Sequence, residues 1–177
     1  MLETERLILR KFIENDVEAI FKLRNDVEMM RFIREPQKSR AESARWINLV
    51  SSRWESEKIG FCAVIEKKSN KVIGWCGLWK LIETDEIEVG YAIAKEFWKK
   101  GFASEAAKAF LYYGFKTLNL EKITAVARPE NTASRRVMEK LGMQFDYIGE
   151  FYESDLAHHS ITKAEFFNAK TQRHKDF

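Results

Sequence analysis

The residues that could do chemistry gather in two stretches, Glu86 to Glu105 and Asn131 to Met143. In the first, Ile87, Val89, Tyr91 and Ile93 alternate like one face of a strand, Lys95 to Gly101 is a short loop, and a helix begins near Ala103 or Ser104. A loop that enters a helix in this way aims unpaired N–H groups and the positive end of the helix dipole at one point, which makes an anion site. Gly101 permits close backbone approach, and Lys99 and Lys100 add two cations. The ligand expected for the amides of Lys99, Lys100, Gly101, Phe102, Ala103 and Ser104 is a phosphorylated one; the plain alternative is a strand-to-helix loop with two solvated lysines. Glu86 and Glu88 project from the face opposite Ile87 and Val89, as solvated charges or as proton acceptors. Gly90, between them and the loop, marks a bulge or a close approach, or is a packing glycine in a plain strand.

The elements that must hold these residues follow from pattern. Arg6 to Phe12 reads as a first strand, Asp16 caps a helix, and Ser39-x-x-Glu42 is a capping box opening a second helix through about Trp54. Phe61 to Lys67, Val72 to Ile82 and the Glu86 strand form an antiparallel meander with turns at Ser69-Asn70 and Thr84-Asp85. The helix after Ser104 ends near Asn119, so the next strand, Lys122 to Ala127, must lie parallel to the Glu86 strand. A helix from Ala133 to Leu141 stops at Gly142, and Gln144 to Phe151 with Leu156 to Thr162 makes a closing hairpin. The order is β-α-α-β-β-β-α-β-α-β-β, an α/β fold with a mixed sheet of about seven strands and helices on both faces. Residues 1–165 are expected to be a single domain, and 166–177 a polar tail whose end frays.

Composition narrows the classes. The chain has 177 residues, 45% apolar and 32% charged, with a net charge of +3, so nothing points to nucleic acid as a partner. No apolar run reaches the roughly 20 residues of a membrane span, and the charged start Met-Leu-Glu-Thr-Glu-Arg does not resemble a signal peptide. Cys62 and Cys76 fall inside strands and read as reduced core residues of a cytoplasmic protein, and no cluster of metal ligands is apparent. Neither cysteine has a nucleophile's setting.

Phe-Trp-Lys-Lys-Gly-Phe-Ala-Ser-Glu-Ala, residues 97–106, resembles the acyl-CoA-binding motif of the GCN5-related N-acetyltransferase (GNAT) superfamily. The Trp98 variant, the opening Leu-Glu-Thr-Glu-Arg-Leu-Ile-Leu-Arg, and Asn131-x-x-Ser134-x-x-Val137-x-Glu139-Lys140-Leu141-Gly142-Met143 resemble its RimJ/RimL branch, the type that acetylates N-terminal alanines of ribosomal proteins. The likeness covers about residues 2–165 and implies a GNAT fold with a bulge or splay at the fourth strand. It also implies acetyl-CoA as co-substrate, no metal, and direct transfer to a primary amine, on a peptide N-terminus or a small molecule. A non-catalytic CoA-binding sensor is the rival reading. The loop amides would hold the pyrophosphate, and the backbone of Tyr91, Ala92, Ile93 and Ala94 the pantetheine arm, with Ala92 polarising the thioester carbonyl. Asn131, otherwise a helix cap, would bond the same arm. Ser134, otherwise a solvated helix serine, would protonate the thiolate, since Met138 stands where many relatives have a tyrosine. Glu88 is preferred to Glu86 as base. His158 and His159 point to opposite faces and read as edge-strand surface residues, with a proton shuttle as the alternative. Trp75 and Trp79 could wall the acceptor groove. The protein is expected as a monomer or homodimer.

Overall fold

A computed structural model describes the backbone of residues 1–173 and the side chains of residues 1–168. The frayed end expected of the tail lies, from residue 174, outside the described residues. One eight-stranded sheet runs in the order β1 (Leu2–Glu3), β2 (Leu7–Arg10), β3 (Gly60–Glu66), β4 (Lys71–Lys80), β5 (Ile87–Ile93), β6 (Lys122–Ala127), β8 (Ser154–Thr162), β7 (Gln144–Phe151). The strand beyond the seven expected is β1, whose two residues pair with Ile8 and Leu9. Strands β5 and β6 are parallel, joined by helix α4 (Phe102–Lys116), and the other pairs are antiparallel.

Helices cover both faces. Ile87, Val89, Tyr91 and Ile93 of β5 belong to a core with Phe110, Leu111 and Phe115 of α4 and Met138 of α5 (Thr132–Lys140). Ala92, on the opposite face, packs with Trp75 and with residues of α1 (Val17–Asn25), α2 (Val27–Met30) and α3 (Arg40–Glu57). Helix α6 (Lys163–Arg173) crosses residue 165, where the polar tail was expected to begin. Phe166 is buried with its ring 5.3 Å from that of Phe115, so this apolar side chain carries the packed unit past the expected boundary.

Three local expectations change, and a fourth resolves to one of its alternatives. Asp16 does not cap α1: the chain enters through a tight turn at Glu14–Asp16, and the buried carboxylate instead accepts from Arg10 (2.6 and 2.8 Å) and from the Ile13 N–H. Strand β5 carries no bulge, since its register with β4 is unbroken from Ile87↔Lys80 to Ile93↔Gly74; register shifts lie instead between β3 and β4, at Val64/Ile65, and between β7 and β8, at Phe145/Tyr147. Of the two roles expected of Gly90, close approach is the one present: a Cβ there would stand 2.8 Å from the Phe61 ring. The histidines are not at an edge. The second strand of the hairpin pairs with β6, which leaves β7 outermost and buries both His158 and His159 in β8.

Candidate active site

Strands β5 and β6 are paired at Glu88↔Thr124 and part beyond it, which opens the sheet between the C-terminal end of β5 and α5. The direction of the β5 main chain can be fixed from its ends. Leu81 N–H donates to Glu86 O (2.9 Å) and Ala94 N–H to Ile73 O (2.7 Å), so by strand alternation the groups of Gly90, Ala92 and Ala94 also point at β4. The Ala92 N–H, expected to meet the thioester carbonyl, is therefore engaged within the sheet. Tyr91 and Ile93 are the residues whose main chain faces the opening. Ile93 O there accepts from the Trp98 indole N–H (2.6 Å).

The loop beyond β5 has the form an anion site needs. Lys99 (φ 60°) and Gly101 (φ 83°) both take left-handed conformations, which turn successive amides inward. Gly101 is the N-cap residue of α4 and supplies no side-chain cap, so the first-turn amides of Phe102, Ala103 and Ser104 have no intrahelical acceptor. Arg6 braces the loop from β2's side: it donates to Lys100 O (2.9 Å), pairs with Glu105 (2.6 Å) and lies 4.5 Å from the Phe102 ring centroid. Next to the loop is a cavity of about 420 Å³ lined by Arg6, Lys100, Gly101, Ser104, Lys108 and Lys140, together with Glu5 and Glu105. Glu105 is already neutralised by Arg6, so the cavity's spare charge is positive. Uncapped amides, a left-handed glycine and spare cations fit a pyrophosphate with a further anionic group beside it.

At the far side of the opening, Asn131 caps α5 by accepting from the Ser134 N–H (3.1 Å). That capping places the Ser134 hydroxyl 3.1 Å from the Tyr91 hydroxyl, which also donates to Ser134 O (3.0 Å). Burial pushes the Tyr91 phenol up, so it stays protonated. The tyrosine partner was absent from the sequence reading because Tyr91 and Ser134 are brought together only by the opened sheet.

Glu86 and Glu88, alike in sequence, part company in the fold. Burial opposes ionisation of Glu86, but hydrogen bonds from Lys122 and His158 outweigh it and hold this carboxylate below the usual range. His158 lies between Glu86 (2.9 Å from Nε2) and Asp146 (3.0 Å from Nδ1), under the stacked Tyr147 ring. Glu88 is only 7% exposed, and burial pushes its carboxyl up to about 7; a hydrogen bond from the Tyr152 hydroxyl (2.5 Å) pulls the other way. Tyr152 sits in the β7–β8 turn with φ 51°, its own N–H bonded to Glu83 (2.7 Å). On the same face as Glu88 run Trp79, Gly77 and Trp75 of β4, with the Phe61 ring stacked 5.5 Å from Trp79 and Trp46 edge-on 5.6 Å from Trp75. A row of packed aromatic rings thus ends at a buried carboxyl pushed up toward neutrality. Cys62 and Cys76 are free and buried; burial pushes the Cys62 thiol up to about 12, and Cys76 well above its ordinary value. Neither is a thiolate nucleophile. Among the described residues, no group of three or more His, Cys, Asp or Glu could hold a metal ion. Among them, too, no helix is long and apolar enough to cross a membrane.

Comparison with known proteins agrees with this geometry. Residues 6–144 match the family described as Acetyltransferase (GNAT) domain. The chain belongs to the GNAT family. It is 37% identical over 147 residues to the uncharacterized N-acetyltransferase YoaA of Bacillus subtilis, covering 81% of this chain and 82% of that protein. A GNAT-family acetyltransferase structure from Bacillus anthracis superposes with a TM-score of 0.80 at 30% identity, over 93% of this chain and 99% of the other. Spermidine N-acetyltransferase from Vibrio cholerae, solved with CoA and spermine, shares the fold at TM-score 0.77 and 24% identity, over 93% and 100% of the two chains. This GNAT protein is an acetyl-CoA-dependent N-acetyltransferase.

Proposed function

We propose that the protein transfers the acetyl group of acetyl-CoA directly to an α-amine, that of a peptide N-terminus or a similarly low-pKa amine, as in the RimJ/RimL branch, and that it works in the cytoplasm. The observation that carries this reading is the state of Glu88, a buried carboxyl near 7 at the end of the aromatic row of β4. An α-amine, at about 7.7–8.0, lies within about one unit of that value, whereas a lysine-type amine at about 10.4 asks more of the same base.

The residues take complementary parts. The amides from Lys99 to Ser104 hold the pyrophosphate, and the main chain of Tyr91 and Ile93 lines the pantetheine arm. Glu88 accepts the amine proton as nitrogen attacks the thioester carbon, with the Tyr91 or Ile93 N–H placed to stabilise the oxyanion. When the C–S bond breaks, the thiolate takes the Ser134 hydroxyl proton, the serine regains a proton from solvent as Glu88 releases its own, and Tyr91 supports the serine through its hydroxyl. Asn131 acts chiefly by holding the turn that presents Ser134.

The test is release of free CoA thiol with peptides bearing free N-termini, set beside spermidine and other small amines, with Ser134→Ala in parallel. Peptide turnover that falls about ten- to a hundredfold in Ser134→Ala is the expected result. Turnover restricted to polyamines would replace this reading with a small-molecule one, and full activity in Ser134→Ala would remove the serine's role.

A further inference from the structure

The face of the sheet that carries Glu88 also carries an arginine without a counter-ion. Arg24, on α1, is 2% exposed, and its guanidinium carbon lies 4.1 Å from the Trp46 ring centroid and 5.2 Å from that of Trp75. Its Nε is buried with no hydrogen-bond partner, and among the described residues no carboxylate pairs with it. Burial pushes it down to about 10, with Arg34 nearby adding repulsion, yet it remains cationic at neutral pH. Arg34 also acts electrostatically on Tyr152, the residue that bonds Glu88. Trp75 stands opposite Ala92, and Trp79 opposite Glu88, on one row of β4. Arg24 therefore packs against the aromatic row that ends at the carboxyl, and Arg34 acts electrostatically on both Arg24 and Tyr152.

A buried guanidinium facing a second cation is unfavourable in the free protein, and contact with two indole faces offsets only part of that. A planar anion would supply what is missing, because the unpartnered Nε and its neighbouring NH₂ match the two oxygens of a carboxylate. A polyamine would meet repulsion at the same place. We propose that Arg24, with Arg34 beside it, anchors a carboxylate of the acceptor, so that the substrate is an amine with a carboxylate a few bonds away. Such a group is found in a free amino acid or in an acidic residue at a peptide N-terminus. This rests on the reading of Glu88 given above and narrows the substrate class within it.

The experiment uses the full chain with saturating acetyl-CoA. Thiol release is compared for free amino acids against their amides, for peptides beginning with Asp against the same peptides beginning with Asn, and for spermidine. The carboxylate member of a pair is expected to exceed its amide by about ten- to a hundredfold in kcat/KM, mostly through KM. In Arg24→Gln that ratio collapses toward one, and Arg24→Lys restores part of it. Which pair shows the preference tells a free amino acid from an acidic N-terminus. A ratio near one in the unaltered protein, or a ratio unchanged in Arg24→Gln, overturns the proposal. If Arg24→Gln does not fold, the unaltered protein and Arg34→Gln carry the same comparison. Trp46 and Trp75 provide a readout independent of turnover, since an N-acetylated amino acid binding at Arg24 should change tryptophan fluorescence. That response without turnover of any amine would keep the anion site and sink the acetyl-transfer reading of Glu88; absence of both would overturn the two together.

Discussion

In the function proposed above, the two sides of β5 would recognise their ligands by different means. On the side of the loop, the candidate site is built from main chain: uncapped amides of one contiguous stretch, two left-handed residues, and lysines left in solvent. On the side of Glu88 it is built from side chains that arrive from α1, α3, β4 and the β7–β8 turn, most of them buried. A phosphate held by backbone dipoles tolerates water around it, because the donors are fixed by the fold and need no change of ionisation. A base must titrate near the working pH, and a carboxylate reaches that range only when water is taken away. The contrast explains why the first site lies in a short motif and the second is assembled across the whole chain.

The largest test of that contrast is Glu88→Gln, which should move activity and stability in opposite directions. Loss of the base is expected to lower kcat/KM by about 10²–10⁴ and to remove the acid limb near neutral pH. The sign for stability follows from linkage. The folded-state value, about 7, lies above the ordinary 4.5, so the folded protein holds a proton that the unfolded chain has released between those two values. Stability therefore falls as pH rises through that window, and above it the ionised, buried carboxylate costs up to ~3 kcal/mol. Glutamine avoids that cost while still accepting from Tyr152. Thermal melts should show the variant more stable than the unaltered protein at about pH 8 and little different at about pH 4. A less stable variant at the higher pH would mean that Glu88 is not desolvated.

Gly101→Ala tests the other side, where geometry and not charge should matter. A side chain at φ 83° costs about 1–2 kcal/mol, and its Cβ would sit 3.4 Å from the Arg6 guanidinium. The expected result is a rise of about tenfold in the KM for acetyl-CoA with the acceptor KM unchanged. Equal rises in both would show that the loop and the Glu88 side are coupled, against the division drawn above.

How much of this was legible in the sequence depends on the range of the forces involved. The loop, Gly101, the parallel step from β5 to β6 and the Ser39 cap are set by residues close in the chain, and all appear in the fold. The direction of the Ala92 N–H was not legible, because it depends on which residues of β5 fall in hydrogen-bonded pairs with β4, and register is a tertiary property. The surface assignment of His158 and His159 failed because either strand of a hairpin can take the inner place, and local pattern does not choose. Glu88 and its neighbour Glu86 look identical in the sequence. Only the fold gives one of them Lys122 and His158 and the other a phenol and no cation.

The smallest predicted effect probes how that phenol works. Tyr152→Phe keeps the ring that shields Glu88 and removes the hydroxyl whose hydrogen bond favours the ionised carboxylate. The Glu88 carboxyl should then move further up, so the acid limb of kcat/KM shifts to higher pH by about one unit or less. Activity falls a fewfold at pH 7 and recovers in alkaline solution. The shift has a firm sign, because the ring still excludes water and only the favourable hydrogen bond is lost. An unmoved limb with a raised kcat would carry a different meaning: the hydroxyl would be leaving Glu88 whenever the acceptor arrives, and the tight turn at Tyr152 and Glu153 would be a cover over the base that the amine must lift.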